Sequence, residues 1–139
     1  HAPLYSDVMG EIIDFLRRQI EYAASFGVPR EKIIVDPGIG FGKTLEHNIE
    51  IFRRLAELDI LGSSVMIGHS RKSMIGALMG GAPPEERLEG SVGLGVLAAS
   101  RGGAHFLRVH DVGPMVKALK VVDRVIGRRP EGVKVWEQK

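Results

Sequence analysis

The chain has 139 residues, 44% of them apolar and 26% charged, with a net charge of +2 and no cysteine. That is enough for one modest domain of ordinary globular composition. The charge is too small for a nucleic-acid surface, no run reaches the roughly 18 apolar residues of a membrane helix, and disulfides and thiolate metal sites are excluded. A reducing, cytoplasmic location is therefore expected, with neither nucleic acid nor membrane as partner, and no signal peptide is visible. The chain opens on His1 rather than Met, which fits a fragment or a processed product.

Residues 6–26 read as a helix. Ser6 is its N-cap, Val8, Ile12, Phe15, Leu16 and Ile20 its apolar stripe, and Gly27 its terminating glycine. "KIIVD" (32–36) is a short β-branched strand. Thr44 caps a second helix with Leu45, Ile49, Phe52 and Leu55 on one side. "SVMIGHS" (64–70) is a second strand, "RKSMIGALMG" a short helix and "GAPPEE" a turn. Residues 84–101 form a helix rich in small residues, with Leu88, Val92, Val96 and Ala99 in phase. "AHFLRVH" (104–110) is the third strand. Asp111 then caps a last helix carrying Val112, Val116, Leu119, Val122 and Ile126, ended by Gly127. Residues 128–139 are a charged tail without a period.

Strands alternating with helices imply an α/β chain with a parallel sheet and right-handed crossovers. Ligands of such sheets bind at the carboxyl ends of the strands. All three strands end in polar or glycine residues: Asp36-Pro-Gly, Gly68-His-Ser-Arg-Lys, and Arg108-Val-His110-Asp111. Because side chains alternate along a strand, Phe106, Arg108 and His110 share one face of the third strand, and Ile34 and Asp36 share one face of the first. The face packed on helices must be apolar, so Asp36, Arg108 and His110 point to the opposite side, near the mouth.

The stretch "VDPGIGFGKT" (35–44) imitates a phosphate loop and fails by one residue in two ways. A Walker A loop needs glycine where Pro37 stands, and a dinucleotide fingerprint needs glycine at Lys43. Proline donates no N–H and is a poor start for an anion nest. Asp36 is then either a turn residue before Pro-Gly or an acceptor for a ligand edge with adjacent N–H donors. Lys72 is either a first-turn helix lysine or an anion contact, and Ser70 and Ser73 are caps or ligand contacts. Arg108 and His110 either form a structural pair with Asp111 or Asp36, or hold an anionic group. His105 is not a metal partner of His110, because an odd separation puts them on opposite faces. His47 and His69 read as surface or helix-start residues. No HExxH, paired metal-ligand carboxylates or nucleophile–base pair supports a hydrolase.

Taken in order, "DPGIGFGKTLEHN", "GHSRKS", "RLEGSVG" and "RVHDV" resemble dihydropteroate synthase, over about residues 5–127. The resemblance implies the C-terminal portion of a (β/α)8 barrel, with about three parallel strands and four to five helices. It also implies a transferase that joins 6-hydroxymethyl-7,8-dihydropterin diphosphate to p-aminobenzoate in folate biosynthesis, a sulfonamide target. By matching motif, Asp36 would bind the amino-pyrimidinone edge of the pterin. Lys72 would contact the pterin beside the aminobenzoate, and Arg108 would lie on the pterin and hold the diphosphate with His110. Phe41 would line the aminobenzoate pocket, Ser73 would meet its carboxylate, and Gly68 and Ser70 would form the pocket floor. Catalytic roles would fall to Lys72, Arg108 and His110. Magnesium is implied for the parent enzyme, held through the diphosphate and the N-terminal half.

That family's barrel needs about 250 residues. Residues 1–139 are therefore expected to be a C-terminal half whose N-terminal half lies outside the sequence. Such a half is expected to be inactive alone, and to pair with itself or with the other half through its open edges. Three readings compete. A pterin-binding methyltransferase domain shares the barrel and the aspartate but not the "SRKS" and "RVHDV" pair. A P-loop NTPase is opposed by Pro37. A non-catalytic fragment keeps the motifs without the reaction.

Overall fold

The computed structural model describes residues 4–128, so residues 129–139 of the expected tail lie outside it. The element order is α1 (Val8–Ser25), β1 (Ile34–Val35), α2 (Leu45–Arg53), β2 (Ser64–Ile67), α3 (Ser73–Leu78), α4 (Leu88–Ser100), β3 (Phe106–Leu107) and α5 (Val112–Val125). Short 3-10 turns cover 30–32, 55–61 and 84–86. The three strands form one parallel sheet in the order β1-β2-β3, Ile34 opposite Ser64 and Met66 opposite Phe106. This is the parallel α/β arrangement expected from the strand–helix alternation, and it agrees with the portion of a barrel that the resemblance implied.

The core lies between the sheet and its helices. Val35, Val65 and Ile67 point into it and meet Ile12, Leu16 and Ile20 of α1, Ile51 and Phe52 of α2, and Met74 and Ile75 of α3. Burial of an aliphatic or aromatic side chain is worth about 1.5–3 kcal/mol, so this side of the sheet carries most of the chain's apolar stabilisation. The opposite face is bare: Ile34 is 49% and Phe106 47% exposed. The strand parity expected above is therefore observed.

Several local expectations are corrected. Helix α1 starts at Val8, and its N-cap position is Asp7, not Ser6; the Ser6 N–H and hydroxyl instead donate to Glu11 (3.0 and 3.3 Å). Phe15 leaves the stripe and is 53% exposed. The ladders are shorter than the β-branched runs, because β1 and β3 are edge strands and Pro37 has no N–H to continue a ladder. Thr44 does cap α2, in a reciprocal box with His47 (3.2 Å each way).

The expected 84–101 helix splits into a 3-10 turn and α4, and its buried residues are Ser91, Gly95 and Ala98 rather than Leu88, Val92, Val96 and Ala99. The reason is close approach. A Cβ on Gly95 would stand 2.4 Å from Met115 Cε, and one on Gly90 2.4 Å from Ile75. Met115 is likewise the buried residue of α5, whereas Val112 and Ile126 of the expected stripe are 46% and 47% exposed.

Candidate active site

The carboxyl ends of β2 and β3 open onto a hollow of about 320 Å³ lined by Gly68, Ser70, Lys72, Arg108, Val109 and His110. Five of these six were singled out from sequence, and strand parity explains their convergence. Gly68 and Ser70 continue β2, Arg108 and His110 continue β3, and the two ends are held side by side by Arg108 N–H donating to the Ile67 carbonyl (3.0 Å). The Ser70 hydroxyl joins them further, lying 3.2 Å from the His110 N–H and 3.1 Å from His110 Nδ1. Ser70 therefore orients His110. A Cβ at Gly68 would sit 3.1 Å from an Arg108 guanidinium nitrogen, so the missing side chain leaves room for that guanidinium.

Asp36 lines a neighbouring hollow of about 560 Å³, with Pro37, Gly38, Lys43 and residues of α1 including Ile12, Phe15 and Arg18. Its carboxylate accepts the Gly38 N–H (2.8 Å), so the turn reading of Asp36 holds and one oxygen remains outside that bond. The glycine-rich loop touches both hollows: Gly38 and Lys43 line this one, and Lys72 of the other donates to the Ile39 carbonyl. Gly38, Gly40 and Gly42 all have positive φ (74°, 79° and 57°), a region disfavoured for side-chain-bearing residues. Two ammonium groups tie down the loop's carbonyls. Lys43 Nζ donates to Gly38 and Phe41 (3.1 Å each), and Lys72 Nζ donates to Ile39. Phe41 is 66% exposed, with its ring 4.2 Å from the Lys72 ammonium, a cation–π arrangement.

Burial lowers the pKa of Lys72; Asp36 opposes the shift, and Arg108 and Lys43 add to it. Burial lowers Lys43 too, again opposed by Asp36. Lys72 is the N-cap residue of α3, and Ser73, its first residue, is exposed outside the lining of the hollow.

The expected pairing of Arg108 or His110 with Asp111 is not found. Asp111 takes a two-pronged bond from Arg71 instead (2.9 and 2.6 Å), and among the described residues Arg108 and Lys72 enter no salt bridge. The mouth thus presents Lys72, Arg108 and His110 beside one another, an arrangement suited to a multiply charged anion, with a carboxylate across the loop.

Two residues escaped the sequence reading. Asn48 is buried and its side chain accepts the Gly40 N–H (2.7 Å) while donating to the Thr44 carbonyl (2.7 Å), fastening loop to helix. Its signal was its place at the end of the glycine motif. His69, read as a surface or helix-start residue, is fully buried; its Nε2 lies 2.7 Å from the Ser91 carbonyl, and Phe52 meets its ring edge-on. Burial pushes its pKa down. The odd step from Gly68 places it on the helix-covered face, which strand alternation could have revealed.

The sequence matches the family described as "Pterin binding enzyme" over residues 1–110. The chain belongs to the pterin-binding enzyme family. It is 43% identical over 128 residues to dihydropteroate synthase of Escherichia coli K12, an alignment covering 92% of this chain and 45% of the relative. It is 45% identical over 119 residues to dihydropteroate synthase of Synechocystis, covering 86% and 41%. Its fold is similar to that of Yersinia pestis dihydropteroate synthase solved with a sulfonamide drug (TM-score 0.87, 40% identity, 93% of this chain and 46% of that one). It is also similar to the Thermus thermophilus enzyme solved with 6HMPPP (TM-score 0.84, 44% identity, 89% and 48%). This member of the pterin-binding family thus spans about half the length of the curated relatives it matches.

Proposed function

We propose that this chain is the C-terminal half of a dihydropteroate synthase, which condenses 6-hydroxymethyl-7,8-dihydropterin diphosphate with p-aminobenzoate to 7,8-dihydropteroate and releases diphosphate. The observation that carries the reading is the shared hollow: Gly68, Ser70, Lys72, Arg108 and His110 converge in a member of the pterin-binding family. Asp36 would accept the pterin's adjacent N–H donors through its free oxygen. Arg108 and His110 would take the diphosphate, His110 being oriented by Ser70. Lys72 would bridge pterin and aminobenzoate, with Phe41 against the arylamine ring and Ser73 near its carboxylate. A Thermus thermophilus neighbour solved with 4-aminobenzoate supports this choice of second substrate.

Diphosphate is a good leaving group, so no covalent nucleophile is needed. The residues act by positioning and by stabilising the negative charge that grows on the departing oxygen. Each charge-assisted hydrogen bond contributes about 1.5–3 kcal/mol. The described residues do not make a magnesium cage, since they contain no group of three His, Asp or Glu suited to a metal ion. Magnesium enters the proposal only as the counterion of the diphosphate in the whole enzyme. No helix among the described residues is long and apolar enough to cross a membrane. The partners proposed are the N-terminal half or a second copy of the chain.

The test is calorimetric titration with 6-hydroxymethyl-7,8-dihydropterin carrying and lacking the diphosphate. The diphosphate is expected to strengthen binding, and Arg108→Ala to remove most of that gain. Equal affinity for both compounds in the unaltered chain would refute the assignment of Arg108 and His110.

A further inference from the structure

The polar residues behind the site converge on one backbone position. Among the described residues Arg71 is the non-glycine residue with positive φ (58°), a conformation in which Cβ crowds the backbone. It stands between Ser70, which holds His110, and Lys72. Its N–H donates to Ser91 Oγ (2.9 Å), its carbonyl accepts from Arg87 Nη1 (2.8 Å), and its guanidinium forks onto both oxygens of Asp111 (2.9 and 2.6 Å). Arg87 and Ser91 belong to "RLEGSVG", a motif to which no ligand contact falls; Ser91 Oγ also donates to the Arg87 carbonyl (2.7 Å). Asp111 directly follows His110. The end of β2, the start of α4 and the end of β3 therefore meet on Arg71.

Glycine would satisfy the positive φ with less strain. The presence of arginine points to the side chain, and a forked arginine–carboxylate bond fixes geometry as well as charge. Left-handed conformations of this kind persist where the surroundings over-determine them, and here four hydrogen bonds do so.

We propose that Arg71 is a positioning residue. Its fork to Asp111, braced by Arg87 and Ser91, holds the Lys72–Ser73 side of the site in register with the Arg108–His110 side, so that a ligand bound at one is felt at the other. The ligand half of this statement rests on the function proposed above; the clamp itself does not.

The test uses the 15N-labelled 139-residue chain. Arg71→Gly keeps the backbone conformation and removes the fork, and Asp111→Asn removes the partner's charge. Each is expected to speed exchange of the Arg71 and Lys72 amides about tenfold. Inorganic diphosphate, bound at Arg108 and His110, is expected to shift the Lys72 and Ser73 amide signals in the unaltered chain. In either variant that shift falls about fivefold while the shift at Arg108 remains. Arg71→Lys, with its charge but no fork, is expected to behave like Arg71→Gly and serves if Asp111→Asn does not fold. The proposal is overturned by unaltered exchange in Arg71→Gly, or by diphosphate binding that never reaches Lys72 and Ser73. If the chain binds no diphosphate, the ligand reading fails and the exchange rates alone decide the clamp.

Discussion

On one face of the sheet Val35, Val65 and Ile67 are at most 5% exposed, whereas on the other Ile34 and Phe106 are about half exposed, although all five are apolar. Only at the strand ends does the bare face turn polar, with Asp36, Arg108 and His110. Strands apolar on both faces belong in parallel sheets covered on both sides. The bare apolar face and the two unpaired sheet edges stand beside the coverage of about half of each relative, and they motivate the proposal above that the sheet is continued by another chain or segment. The difference between the faces separates what this chain stabilises by itself from what it prepares for a neighbour.

The largest effects should come from breaking the covered side. Ile67→Ala is expected to cost about 2–5 kcal/mol in urea unfolding, whereas Phe106→Ser should change the stability of the isolated chain by no more than about 0.5 kcal/mol. A large cost at Phe106 would show that the open face is already covered by another copy.

The α4–α5 contact sharpens the same contrast on a smaller scale. Gly95→Leu must displace Met115 and is expected to cost about 1–3 kcal/mol. Gly93→Ala, with nothing within 4 Å of the new Cβ, should instead stabilise the chain by about 0.5–1 kcal/mol. Thermal unfolding of the two variants distinguishes close packing from incidental glycine content.

A third prediction concerns pH. His69 is buried with its pKa held below the ordinary 6.5, so the unfolded chain takes up this proton before the folded one does. Stability is then lost as pH falls through that window and regained above it. Urea midpoints at about pH 7.5 and 5.5 should show a larger drop in the unaltered chain than in His69→Phe, which lacks the titrating ring. Equal drops would place the acid sensitivity elsewhere.

The smallest effect is expected at Arg54, whose half-exposed guanidinium bridges Asp7, Glu50 and Glu57 (2.8–2.9 Å). Arg54→Ala should lower the unfolding midpoint slightly in dilute buffer and hardly at all in high salt, because solvent ions screen surface pairs.

Much of the architecture was legible because parallel strands and crossover helices have different periods. Thr44 as a cap, Gly27 as a helix end and the common face of Arg108 and His110 follow from short-range rules, and the structure repeats them. The misses share a different cause. Phe15 fits the helical stripe of α1 yet is 53% exposed and lines the open hollow that Asp36 also lines, so periodicity alone could not show that it leaves the core. The buried face of α4 was misassigned because small residues there permit contact, and size alone does not reveal that. The partnership of Asp111 with Arg71 rather than Arg108 depends on a left-handed residue that no periodicity announces. Likewise the site's residue types were readable, but their distribution over two hollows and the lysine staples on the glycine loop were not.

The central proposal is that Asp36 is a pterin-recognising carboxylate and that this chain binds a pterin through it. The most direct measurement is the affinity of 6-hydroxymethyl-7,8-dihydropterin for the 139-residue chain and for Asp36→Ala. The predicted result is weak, saturable binding that Asp36→Ala abolishes while inorganic diphosphate still binds. Pterin binding that survives in Asp36→Ala would contradict it.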